Sequence, residues 1–243
     1  MDPDQSKGSL APSISDYVAS AAKAALGAVP FVGSLLAEIA GSVIPNQRID
    51  RLVRFASELE NRLNTVDKAA VRAHLTDENF TDLVEEGLRQ AARSTTDDRR
   101  RHIANVIAGS LTSEDISFIE SKHLLRLLGE INDIKVVWLW FYLDQVMQGD
   151  EEFRAQHKDV LAPVMASMAS PRSEIDKETL QRSYKEHLEQ LGLLQERYRL
   201  DSKTKLPEFD RASGRPKTQG YELTRLGRLL LRQVGFQDPH AAG

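Results

Sequence analysis

An all-α fold carrying one small β-hairpin is predicted for this 243-residue chain by three observations. Apolar residues recur at helical spacing through most of the sequence, hydroxyl and carboxylate residues precede those runs as caps, and a single stretch near the C-terminus breaks the pattern with two short strand-like segments. With 41% hydrophobic residues the chain buries more than one core. The order predicted is a disordered tail over 1–14, an apolar helical hairpin over 15–45, a helical bundle over 46–132, a winged-helix-like module over 133–236 and a second tail over 237–243.

The N-terminal tail, MDPDQSKGS, is acidic and polar where a secretory leader is basic and then apolar, so the expectation is an unexported, cytoplasmic protein. Residues 18–44 follow with only two charges, Lys23 and Glu38, in a chain that is 28% charged. Such a run must be covered by the rest of the chain, by a second copy or by lipid. Gly27, Pro30 and Gly33 divide it, because proline lacks a donor and drives its predecessor, Val29, from helical angles. Each half would be about 20 Å long against a hydrocarbon core of about 30 Å, so neither spans a bilayer alone. Small residues at helical spacing allow close packing, and Gly27, Pro30, Phe31, Gly33, Leu35, Leu36, Ala37 and Gly41 are the candidate residues for self-association or membrane contact. The plainer reading is a buried core hairpin.

Over 47–73 the apolar positions Ile49, Leu52, Ala56, Leu59, Leu63, Val66, Ala70 and Ala73 step by three and four, which predicts one long helix laid along a bundle rather than a coiled coil. Capped helices follow: one opened by Thr76 with Asn79 and running to Arg93, one opened by Thr95 or Thr96, and one opened by Thr112 with Asp115 and ending near Asn132. Arg99, Arg100 and Arg101 form a basic cluster that Asp97 and Asp98 neutralise. In WLWFY, residues 138–142, Trp138, Phe141 and Tyr142 are expected in the core and Trp140 against an adjoining module.

The last third predicts helices over 158–167 and 176–191, a cap at Gly192, strands in LLQERYRL and YELT with a long connection between them, and a final helix capped by Thr224 with an apolar stripe of Leu226, Leu229, Leu230 and Val234. That is the order of a winged helix. Between Glu196 and Arg232 ten basic residues face five acidic ones, a local excess of five positive charges in a chain of net charge −4. Arg211, Arg215 and Lys217 stand where a wing tip meets phosphates, with Arg182 and Lys185 on the presumed recognition helix, where carboxylates offset them. Nucleic acid is therefore a candidate partner, ranked behind self-association or a protein partner and a membrane surface.

Chemistry is sparse. Cysteine is absent, which excludes disulfides, thiolate metal sites and thiol nucleophiles. The six histidines lack metal-site spacing, no glycine-rich loop follows a strand, and no nucleophile elbow frames a serine. The expectation is a non-enzyme with no catalytic residue, cofactor or metal.

The P-x-x-G break at Pro30 to Gly33, the repeated arginines Arg48, Arg51 and Arg54, and the segments DDRRRHIANVIAGSLT, LLRLLGEINDIKVVWLW, HLEQLGLL and YELTRLGRLLL together resemble bacterial helical proteins of the Abi-alpha type. That resemblance implies a bacterial defence or toxin-like role, in abortive-infection phage defence, and supplies no catalytic residues; the expected location is cytoplasmic, peripheral to the inner face of the cell membrane where the apolar hairpin meets lipid.

Overall fold

The computed structural model describes residues 49–66, 68–74, 76–143, 151–167, 169–211 and 213–236. Both terminal tails and the apolar hairpin, including every candidate contact residue from Gly27 to Gly41, lie outside the described residues. The described chain is mainly helical with one two-stranded antiparallel sheet, and it divides into two compact units at Lys122/His123.

In the first unit, α1 (Ile49–Leu63) buries Leu52, Phe55, Ala56, Leu59 and Leu63 on one stripe. It packs on α3 (Glu78–Arg93) and α4 (Asp97–Ser110), which pack on each other. The long helix expected over 47–73 is instead broken after Leu63. Thr65 donates its hydroxyl to the Arg62 carbonyl at 2.7 Å, and the amides of Thr65 and Val66 bond three residues back, which tightens the chain into a turn before α2 (Lys68–His74). The bundle reading holds, with Phe55 as the largest core residue that the three-and-four count passed over.

Caps decide the remaining boundaries. Asp77, one residue after the expected Thr76, accepts from the amides of Asn79 and Phe80 and opens α3. Thr96 accepts from Arg99 and opens α4 as expected. Thr112 does not open the next helix. Ser117 and Glu120 form a reciprocal capping box, the Ser117 amide donating to the Glu120 carboxylate at 2.7 Å and the Glu120 amide to the Ser117 hydroxyl at 3.3 Å, and α5 runs Phe118–Glu130. The basic cluster of α4 is neutralised as expected: Arg100, 4% exposed, meets Asp97 at 2.5 Å and Arg101 meets Asp98 at 3.0 Å.

The second unit is built around α6 (Asp133–Leu143), whose mean apolar character lets it contact neighbours on several sides: α8 (Lys158–Leu161), α9 (Arg172–Gln190), β2 (Thr218–Leu223) and α10 (Arg225–Gln233). Trp138 is buried, and Tyr142 stacks on it at 6.1 Å between centroids. Trp140 covers elements of its own unit, touching Phe153 of α7 (Glu151–Gln156) at 4.2 Å and Phe236 at 4.4 Å. The helix expected over 158–167 stops at Leu161, since Ala162, extended at ψ 122°, precedes Pro163. The next helix starts at Arg172, four residues before the expected Asp176.

At the end of α9, Gly192 (φ 70°) closes the helix: its amide bonds Glu189 and the Leu193 amide bonds Leu188 at 2.9 Å. β1 (Leu194–Tyr198) then pairs with β2 from Leu194↔Leu223 to Tyr198↔Thr218, with an irregularity at Arg197/Tyr198. Thr224 caps α10 by accepting from Gly227 at 3.0 Å. The apolar stripe of α10 is Leu230, Leu231 and Val234, with Leu226 and Leu229 half-buried at its edge.

Candidate functional site

Residues 199–217, between β1 and β2, fold into an arm of two matching turns. The segments LDSKTKLP, 200–207, and FDRASGRP, 209–216, share an Asp, a hydroxyl three residues later and a closing Pro, nine positions apart. Their hydrogen bonds match as well. Asp201 donates its amide to Leu206 at 2.9 Å and Asp210 to Arg215 at 2.8 Å, while the amides of Lys205 and Gly214 return to the two Asp carbonyls. Each Asp carboxylate accepts from a hydroxyl residue three positions on: Asp201 from the Thr204 amide at 2.7 Å, Asp210 from the Ser213 amide at 2.8 Å. The residue four after each Asp is left-handed, Lys205 at φ 57° and Gly214 at φ 68°.

Where the turns join, three backbone segments bond pairwise: the Arg199 amide to Lys217, the Glu208 amide to Arg199 and the Lys217 amide to Glu208. Isolated bridges pair Leu200 with Pro207 and Phe209 with Pro216. Bridge partners share a face and so do residues two apart, which puts Leu200, Pro207, Phe209 and Pro216 on one side. Arg199, Glu208 and Lys217 take the other, where Glu208 holds Arg199 at 3.3 Å and Lys217 at 3.7 Å. The apolar side is uncovered, with Leu200 53% and Phe209 58% exposed, and Leu206, in the first turn, is exposed as well.

The arm's acids are thus committed to its own folding. Backbone amides of Thr204 and Lys203 hold the Asp201 carboxyl below its usual pKa of 3.8. A lowered folded-state pKa means a stabilising contribution that is complete above the ordinary carboxylate range and lost as pH falls through the folded value. A carboxyl titration followed by NMR is therefore expected to place the Asp201 midpoint below 3.8 and to show the Thr204 amide resonance moving with it. A midpoint at or above that value contradicts the turn geometry. Lys203, Lys205, Arg211 and Arg215 lie exposed on the two turns, in no ion pair among the described residues.

Of the residues named from sequence, Arg211 and Arg215 share the second turn, while Lys217 faces Glu208 on the opposite side. Arg182 is exposed but bonded to Glu178 at 2.6 Å. Lys185 is half-buried with its Nζ 4.5 Å over the Trp138 ring, and burial lowers its pKa. Lys203, Lys205 and the apolar side were missed, although the repeated D-x-x-[S/T]-x-x-P spacing was available in the sequence.

Elsewhere, a groove of about 490 Å³ in the first unit is lined by His74, Asn79, Ser110, Phe118 and Glu120 among others, but Glu120 is occupied by Ser117. Among the described residues no group of three His, Asp or Glu converges as a metal site, and no helix is long and apolar enough to cross a membrane. No family model, curated protein or solved structure matches the chain.

Proposed function

We propose that this chain is a non-enzymatic bacterial contact protein of the cell interior, self-associating or meeting a membrane conditionally through residues 18–44, with a winged-helix-like second unit that holds a partner, in the service of phage defence. The winged-helix reading is supported by the order α6, α7–α8, α9, β1, β2, α10 with α6 at the centre, the β1–β2 arm being the wing. The observation that carries a contact role is where the charge sits. α9, the helix that would read bases, has four basic residues (Arg172, Lys177, Arg182, Lys185) against five acidic ones (Glu174, Asp176, Glu178, Glu186, Glu189). Its Arg182 and Lys185 are engaged with Glu178 and Trp138. A helix entering the major groove presents free donors, so a base-reading role is disfavoured. A DNA-binding regulator remains the second reading, resting on the exposed Arg211 and Arg215 alone.

The apolar segment is tested by Gly33→Leu. If residues 18–44 associate, the variant is expected to self-associate less in sedimentation, or to bind liposomes less in flotation, while its melting temperature holds. A wild-type monomer indifferent to lipid, whose variant melts earlier through overpacking, overturns this role.

A further inference from the structure

We propose that the two-turn arm, residues 199–217, is a docking site for an anionic lipid surface. This rests on the contact reading above but uses different residues, so either can fail alone.

Three features converge on the arm. It carries six basic residues against three acidic ones. All three acids are turned to the arm's own folding, Asp201 and Asp210 in the turns and Glu208 between Arg199 and Lys217, so no carboxylate is left free to oppose an anion. Four cations with no ion pair among the described residues sit on the two turns, and the apolar side of the arm exposes Leu200 and Phe209.

The choice of occupant follows from that mixture. A nucleic-acid backbone satisfies the cations, yet an exposed leucine and phenylalanine on one side gain little against phosphates. An anionic bilayer offers both partners, headgroup charge for Lys203, Lys205, Arg211 and Arg215 and an acyl boundary for Leu200 and Phe209. The rest of the chain, nine charges negative once the 196–232 excess is set aside, is repelled by such a surface, which orients the molecule arm-first.

The test uses the full chain with vesicles of phosphatidylcholine, alone or mixed with phosphatidylserine, and a DNA duplex as a separate probe. Wild type is expected to sediment with the mixed vesicles only, and less so as salt is raised. Replacing Lys203→Gln, Lys205→Gln, Arg211→Gln and Arg215→Gln together is expected to lower partitioning on the order of 1,000-fold, and Leu200→Ser with Phe209→Ser by roughly 10-fold or more. None of these side chains forms a bond that builds the turns, so melting temperature should stay within a few degrees. Gly33→Leu is expected to keep anionic binding, and if it does so while losing self-association the two surfaces are separate. Equal binding of the Gly33→Leu variant to neutral and mixed vesicles, unchanged binding by the fourfold variant, tighter arm-dependent binding to the duplex than to vesicles, or no vesicle binding would each overturn the proposal.

Discussion

Gly227→Ala is expected to destabilise the second unit by about 3 kcal/mol, lowering its melting transition by roughly 10 °C. A Cβ at this position would stand 2.4 Å from the Leu193 carbonyl oxygen and 2.6 Å from Leu223 Cδ1. The first of those neighbours is backbone. The Leu193 carbonyl also accepts from the Thr224 amide at 3.1 Å and hydroxyl at 3.2 Å, so moving it strains the cap that starts α10 as well as the turn that ends α9. Gly87→Ala is the control. Its new Cβ would come within 2.5 Å of Ile107 Cδ1, the free end of a flexible side chain that can rotate aside. Alanine is also about 1 kcal/mol better than glycine inside a helix, so Gly87→Ala should cost little or nothing net. Thermal melts of the two variants check the contrast; equal shifts would mean that the α9–β1 turn yields as easily as a side chain.

That contrast marks what sequence reading reaches. Capping chemistry is local, so Thr96, Thr224 and Gly192 announced their roles within four residues of themselves. Helix, helix, strand, connection, strand, helix was legible in the C-terminal third for the same reason. The break after Leu63 was not, because a heptad count registers only apolar side chains and Thr65 ends α1 through its hydroxyl. Ser117 with Glu120 is a capping box of standard spacing that lost to the Thr112 and Asp115 pair upstream. Gly227 reads as an unfavourable helix residue until the Leu193 carbonyl is placed beside it.

The candidate site was half legible. Its charge excess can be counted from the sequence, and Arg211 and Arg215 were found that way. A count cannot say which charges are already paired, and here it is the pairing of Lys217 with Glu208 and of Arg182 with Glu178 that separates them from the exposed turn residues. Nor does composition reveal that Leu200, Leu206 and Phe209 remain uncovered, since apolar residues in a connection are ordinarily expected to fold inward.

Trp138→Ala is the second large effect, an expected loss of about 3–5 kcal/mol, the range for emptying a buried aromatic site. Trp138 is 3% exposed, meets Phe141 edge-on at 5.6 Å and Tyr142 at 6.1 Å, and lies under the Lys185 ammonium. Its loss would also strip cover from Tyr142, whose hydroxyl is pushed up to about 12 by burial, with Tyr221 adding to the effect. Trp138→Phe should behave differently. The indole N–H is buried with no hydrogen-bond partner among the described residues, so phenylalanine removes an unsatisfied donor while keeping most of the ring. Recovery of the donor's desolvation cost offsets part of the lost volume, and the expected net cost falls to about 1 kcal/mol. Denaturant titrations of both variants, with the Tyr142 hydroxyl followed by its ultraviolet absorbance, separate packing from polarity. If Trp138→Phe costs as much as Trp138→Ala, the indole nitrogen has a role that this packing does not account for.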